Sequence, residues 1–352
     1  MSATSSPLYE PGPGAHLRAP ILIHYLHGAV DAGDAGLLAV RQLLSAMPRQ
    51  RVATFSSDAL IDYRARRPIL GMEGWVLSET EDPHIALDAL EDYQGRTLFV
   101  LHGSEPDMRW QEFAATVADL LREHGVTLTA SMMGLPATLP HTRPTFVHQT
   151  GSSSDLIPDQ PEQPGVVTMR ASMDLYLQSY LGRVGFDSVG MVVGVPYYLA
   201  DSEYPAASVS LIERLADLSK VSLPLGDLEA YAATMRTRVD QAVAETEELG
   251  EVIATLEKEY DTEEWGSGLR TSPGASPLPS GEALAQSLED YLAHTDRQRA
   301  KRFDHDSEDV HRSLMERLRR RGRHASGTDS SGDTKGRGQL PPAGRHRRPS
   351  DG

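Results

Sequence analysis

The chain has no cysteine, which excludes disulfides, thiolate nucleophiles and zinc sites built on sulfur. No apolar run approaches the ~20 residues of a helical membrane span. Residues 1–20 carry Pro, Gly and Ser where a secretory signal has an apolar core, so the cytoplasm is the expected location. Positive charge is in short supply: 34 Lys and Arg face 50 Asp and Glu, a net charge of −16. That balance speaks against nucleic-acid binding, which needs a basic face. Familiar catalytic motifs are missing too. The serines of Gly151-Ser-Ser-Ser-Asp155 do not form G-x-S-x-G, and H-E-x-x-H and clustered histidines are absent. No catalytic residue, metal or cofactor is expected.

What is present divides along the chain. Residues 1–17 read as a flexible N-terminus and 18–225 as an α/β core. In that core, short apolar runs at 21–26, 52–55, 97–101, 126–133, 145–150 and 188–195 read as strands. Amphipathic stretches at 110–124, 172–184 and 205–218 read as helices; in the first, Phe113, Val117, Leu120 and Leu121 share one face. Residues 72–77 and 85–90 fit either type. The alternation predicts a mainly parallel sheet sandwiched by helices. Residues 226–265 read as an acidic helix with a heptad-like seam, Leu228, Ala232, Met235, Val239, Ala242, Thr246, Leu249, Ile253, Leu256 and Tyr260. Ala and Thr on that seam argue against a long parallel dimer and for an antiparallel hairpin or docking onto the core. A Gly/Ser/Pro linker (266–281), a C-terminal helical region (282–321) and a disordered basic tail (322–352) complete the chain.

Ligands of parallel α/β sheets collect outside the carboxyl ends of the strands. Four polar, turn-rich segments leave the expected strands there: 27–36, 102–110, 133–144 and 194–205. If they share one edge, Asp31, Glu105, Asp107, Arg109, His141, Arg143 and Tyr197 form a candidate pocket with acid/base groups and two arginines for an anionic ligand. Each also has a structural reading. Asp31 or Asp34 can cap the following helix, Glu105 and Asp107 stand where caps of the helix at 108–124 belong, and Arg109 can pair with one of them. His141 can bond backbone in a stiff Pro-flanked loop, and Tyr197 can fill an interface.

Five segments occur in a telling order: Gly28-Ala-Val-Asp31-Ala-Gly33; Asp62-Tyr-Arg-Ala-Arg66-Arg-Pro68; Glu105-Pro-Asp107-Met-Arg109-Trp110; Gly134-Leu-Pro136 with Pro140-His141-Thr-Arg143-Pro144; and Val195-Pro-Tyr197-Tyr-Leu-Ala200. Together they resemble the actinobacterial branch of the proteasome assembly chaperone 2 family, over residues 18–225 and on through the helical stretch and Leu278-Pro-Ser-Gly281. The resemblance implies a nucleoside phosphorylase-like α/β fold and self-association, trimers included. It also implies a chaperone-like role toward proteasome α-subunits or another protein. Some relatives carry an ATP-grasp-like carboxylate–amine ligase label, which implies the alternative of an enzyme or binder of an anionic small molecule; no Gly-rich phosphate loop is found here. The ending Pro349-Ser-Asp-Gly352 lacks the hydrophobic residue and tyrosine with which proteasome-binding relatives often end, which speaks against docking through the C-terminus but not through other surfaces.

Overall fold

The structure, a computed structural model, describes residues 8–262 apart from 74 and 162–164. The expected linker, C-terminal helical region and basic tail lie outside the described residues. In chain order the elements are β1 (Tyr9–Pro11), β2 (Ile21–His27), α1 (Ala35–Ala46), β3 (Arg49–Phe55), α2 (Ser57–Leu60), β4 (Ile69–Glu73), β5 (Val76–Glu81), β6 (Ile85–Glu91) and β7 (Thr97–Ser104). Then come α3 (Trp110–Glu123), β8 (Leu128–Ala137), β9 (Val147–Gly151), α4 (Met173–Arg183), β10 (Asp187–Pro196), α5 (Pro205–Ser219), α6 (Leu228–Glu245) and α7 (Glu247–Thr262).

Eight strands form one sheet in the order β1-β3-β6-β7-β2-β8-β10-β9. The centre, β7-β2-β8-β10, is parallel. The flanks are antiparallel, because β6 turns directly into β7 and β9 returns along β10. Successive side chains of a strand point to opposite faces, and the central strands are apolar on both. Ile23, Tyr25, Leu98 and Val100 enter the core under α1 and α5, with α6 and α7 packed outside them. Leu22, Leu26, Phe99 and Leu101 meet α3 and α4 on the other face. The helix face expected in α3 is the buried one. No described helix is long and apolar enough to cross a membrane.

Two expectations are corrected. Residues 8–17 are ordered rather than flexible: Leu8 is buried, β1 pairs with β3, and the Tyr9 ring packs on Phe55. The acidic stretch is two helices, broken where Thr246 turns extended (φ −130°, ψ 105°). Threonine is stiff at χ1 and favours the position before a helix; its carbonyl accepts from the Leu249 and Gly250 amides that open α7. The seam survives the break, since Leu228, Met235, Val239, Ala242, Leu249, Ile253 and Leu256 are all buried. The seam residues join the core cluster, so the stretch docks onto the core.

Candidate functional site

The four polar segments do lie at one edge, since β7, β2, β8 and β10 run in the same direction and each segment follows one of them. Their candidate residues do not converge there. At the centre, Asp31 is saturated by structure. Its Oδ1 accepts from the amides of Gly36 (3.0 Å) and Gly134 (2.8 Å), and its Oδ2 from the Leu37 amide (3.0 Å) and the Tyr25 hydroxyl (2.8 Å). The carboxylate thus caps α1, as one reading of the sequence had it, and ties the turn to β8. Burial and Asp31 together raise the Tyr25 phenol far above its ordinary value, so it stays a proton donor. Gly134 is required here, because a Cβ would stand 2.2 Å from the Ala32 carbonyl oxygen.

On the β7 side the organising group is Arg66. Its guanidinium donates to the Glu105 carbonyl and lies 3.7 Å from the Glu105 carboxylate and 3.5 Å from that of Asp107. Neither acid caps α3. Glu105 Oε1 accepts from the Met173 amide (2.5 Å) and so caps α4, whereas Asp107 Oδ2 accepts from the Asp62 amide (2.9 Å). Arg109 pairs with neither; it holds Glu112 in the first turn of α3 through two bonds (2.9 and 2.5 Å). The reason is geometric. Arg109 occupies the position before α3 with φ 57°, and Arg66 already fills the space between the two acids.

On the β8–β10 side the loop is roofed by the acidic helices. The His141 amide donates to the Tyr198 hydroxyl (2.7 Å), leaving the phenolic proton for His141 Nδ1 (2.7 Å); Nε2–H then faces Asp240 on α6 (3.1 Å). Burial, outweighing the Asp240 carboxylate, lowers the His141 pKa and keeps the ring neutral. Arg143 grips Asp261 on α7 with Nε (2.8 Å) and Nη2 (2.6 Å) and reaches Glu257 with Nη1 (3.2 Å). Thr142 donates to the same Glu257 (2.5 Å), and the Tyr260 hydroxyl to the Pro144 carbonyl (3.0 Å). The Arg143 guanidinium is held charged, and it in turn lowers the Asp261 carboxyl. Tyr197 packs its ring edge-on against Tyr198, and its buried hydroxyl has no hydrogen-bond partner among the described residues.

Of the seven candidates, Asp31 alone lines the cavity of about 20 Å³ beside β2, α4 and β8, enough for a water molecule. His141 alone borders a second cavity, beneath α6. Among the described residues no group of three His, Asp or Glu side chains is placed to hold a metal ion. The residues that sequence reasoning missed are the partners: Arg66, Tyr198, Asp240, Glu257 and Asp261. The acidity of 226–265 set against Arg143 was the available signal for the last three.

A sequence model of the PAC2 family matches residues 25–243. No curated protein matches the chain. A Corynebacterium glutamicum protein of unknown function is 35% identical, over 72% of this chain and 97% of its own, with a TM-score of 0.67. A Mycobacterium tuberculosis protein of unknown function is 34% identical, over 74% and 91%, with a TM-score of 0.68. A Mycobacterium tuberculosis proteasome-assembly chaperone homologue is 26% identical, over 66% and 99%, with a TM-score of 0.61.

Proposed function

The chain belongs to the PAC2 family, and from that premise we propose that it works without catalysis, as a chaperone-like protein that holds proteasome α-subunits during their assembly in the cytoplasm. Its working form in this reading is a homo-oligomer of three copies. The observation that carries the reading is the hairpin of β4 and β5. Among the described residues these strands pair only with each other. Within nine residues Ile69, Leu70, Met72, Trp75, Val76 and Leu77 are all exposed, Trp75 to 93%. Scattered apolar residues on a surface are ordinary, but a contiguous group of this kind marks a protein–protein contact, and tryptophan is the residue most often dominant in one. The similarity to the Mycobacterium tuberculosis proteasome-assembly chaperone homologue supports the choice of partner. For the ligase-like alternative no observation speaks, because the strand-end acids and arginines are engaged with one another rather than with a shared pocket.

Co-expression with the proteasome α- and β-subunits of its own organism, followed by native mass spectrometry, tests this. A complex with α-subunits or faster assembly, lost on Trp75→Asp, is the expected result. No complex and no change of rate would overturn it.

A further inference from the structure

The cavity beneath α6 is of a different kind from the polar edge above it. It encloses about 240 Å³ between the start of α5 and the middle of α6. Ala206 on α5 and Ala232, Met235 and Val239 on α6 give it an apolar wall. Alanine leaves the space there that a larger side chain would fill.

Its polar lining is made of Tyr204, Arg236 and His141. The His141 ring is already satisfied at both nitrogens, by Tyr198 and Asp240. Arg236 uses Nε on Asp240 (3.2 and 3.3 Å) and Nη1 on the His141 carbonyl (3.0 Å), while its Nη2 bonds no other described residue. Its side chain is 45% exposed, so the cavity reaches the surface beside it. Tyr204 is 9% exposed, and its hydroxyl bonds no described residue. Burial pushes that phenol up to about 12, with Arg236 close enough to pull the other way. The unused polar groups of the cavity are therefore donors, a phenolic O–H and a guanidinium N–H, set in apolar walls. A planar guanidinium suits a carboxylate, and a phenolic O–H beside it adds a second donor. An apolar cavity of about 150 Å³ admits benzene; the larger volume here leaves room for a ring or short chain with an acid group.

We propose that this cavity binds a small organic acid with an aromatic or short aliphatic body, its carboxylate held by Arg236 Nη2 and Tyr204 Oη. Such a ligand bridges α5 to α6 and so fastens the helical roof to the core. Isothermal titration of the full chain with benzoate, phenylacetate and hexanoate, against benzamide, phenylacetamide and hexanamide, tests it. Saturable binding of at least one acid is expected, with its amide at least tenfold weaker. Ala232→Phe, which fills the space, abolishes binding, and Arg236→Gln erases the preference for acid over amide with the melting temperature retained. Should Ala232→Phe lower the melting temperature, the Arg236→Gln comparison decides alone. No saturable binding to the unsubstituted chain, equal binding of acid and amide, or a preference that survives Arg236→Gln would overturn the proposal.

Discussion

The two sides of the strand-end edge are opposites. Under α6 and α7, nearly every polar group of the loop 139–144 meets a partner, and the pairs run from loop to helix: His141 to Asp240, Thr142 to Glu257, Arg143 to Asp261. On the other side Arg66 locks the loops with Glu105 and Asp107, and the chain just beyond it rises into a hairpin whose apolar side chains are exposed. Charge in this fold is spent inward, on holding the roof. Apolar surface is left outward, where a partner can cover it. The catalytic-looking residues hold the scaffold together, and in the proposed reading the plain apolar ones are the contact.

The largest expected effect breaks that comparison at the hairpin. Trp75→Asp with Leu77→Asp should weaken α-subunit binding by about a thousandfold, two hot-spot losses of about 2 kcal/mol each, as read by titration. The melting temperature should stay within about 2 °C, since neither side chain is buried. Next is the roof. His141→Leu removes a buried ring that joins Tyr198 to Asp240, though Tyr198 keeps the amide of residue 141 and Asp240 keeps Arg236; it should cost about 1 kcal/mol and lower the melting temperature by about 2–4 °C, while partner binding holds. Smaller again is Arg143→Met. Global stability should change little, but amide exchange in α7 should quicken, and high salt should shrink the difference between the two proteins.

Much of this was legible in the sequence. The strands at 21–26, 97–101 and 188–195 and the helix at 110–124 announce themselves by apolar pattern, and their alternation is enough to put four loops on one edge. The buried seam of α6 and α7 was legible as well, because burial follows periodicity. Its break at Thr246 was not, since the seam runs through it unchanged. Convergence in the loops was also beyond pattern. Arg143 and Asp261 are 118 positions apart, and a charge carries no mark of which opposite charge it will meet. The hairpin escaped for another reason: residues 72–77 fit either helix or strand, and only the three-dimensional structure shows Met72 and Leu77 exposed.

The smallest effect sharpens the comparison through pH. His141 has a folded pKa below its ordinary 6.5, so the unfolded state binds the proton first as pH falls. Its contribution is full above about pH 6.5 and drains away below it. Asp261 is likewise lowered from 3.8 by Arg143, so its contribution is full above that value and lost in more acid solution. Amide exchange of α6 and α7 should therefore rise in two steps on acidification, the upper one absent in His141→Gln. The hairpin, where no such pair is seen among the described residues, should show neither step.

The most direct measurement is amide hydrogen exchange of the chain alone and in complex with its proteasome α-subunit. Protection gained at residues 69–77, with 139–144 and 228–262 unchanged, is the result this account predicts. Protection gained under the roof, with the hairpin still exchanging freely, would contradict it.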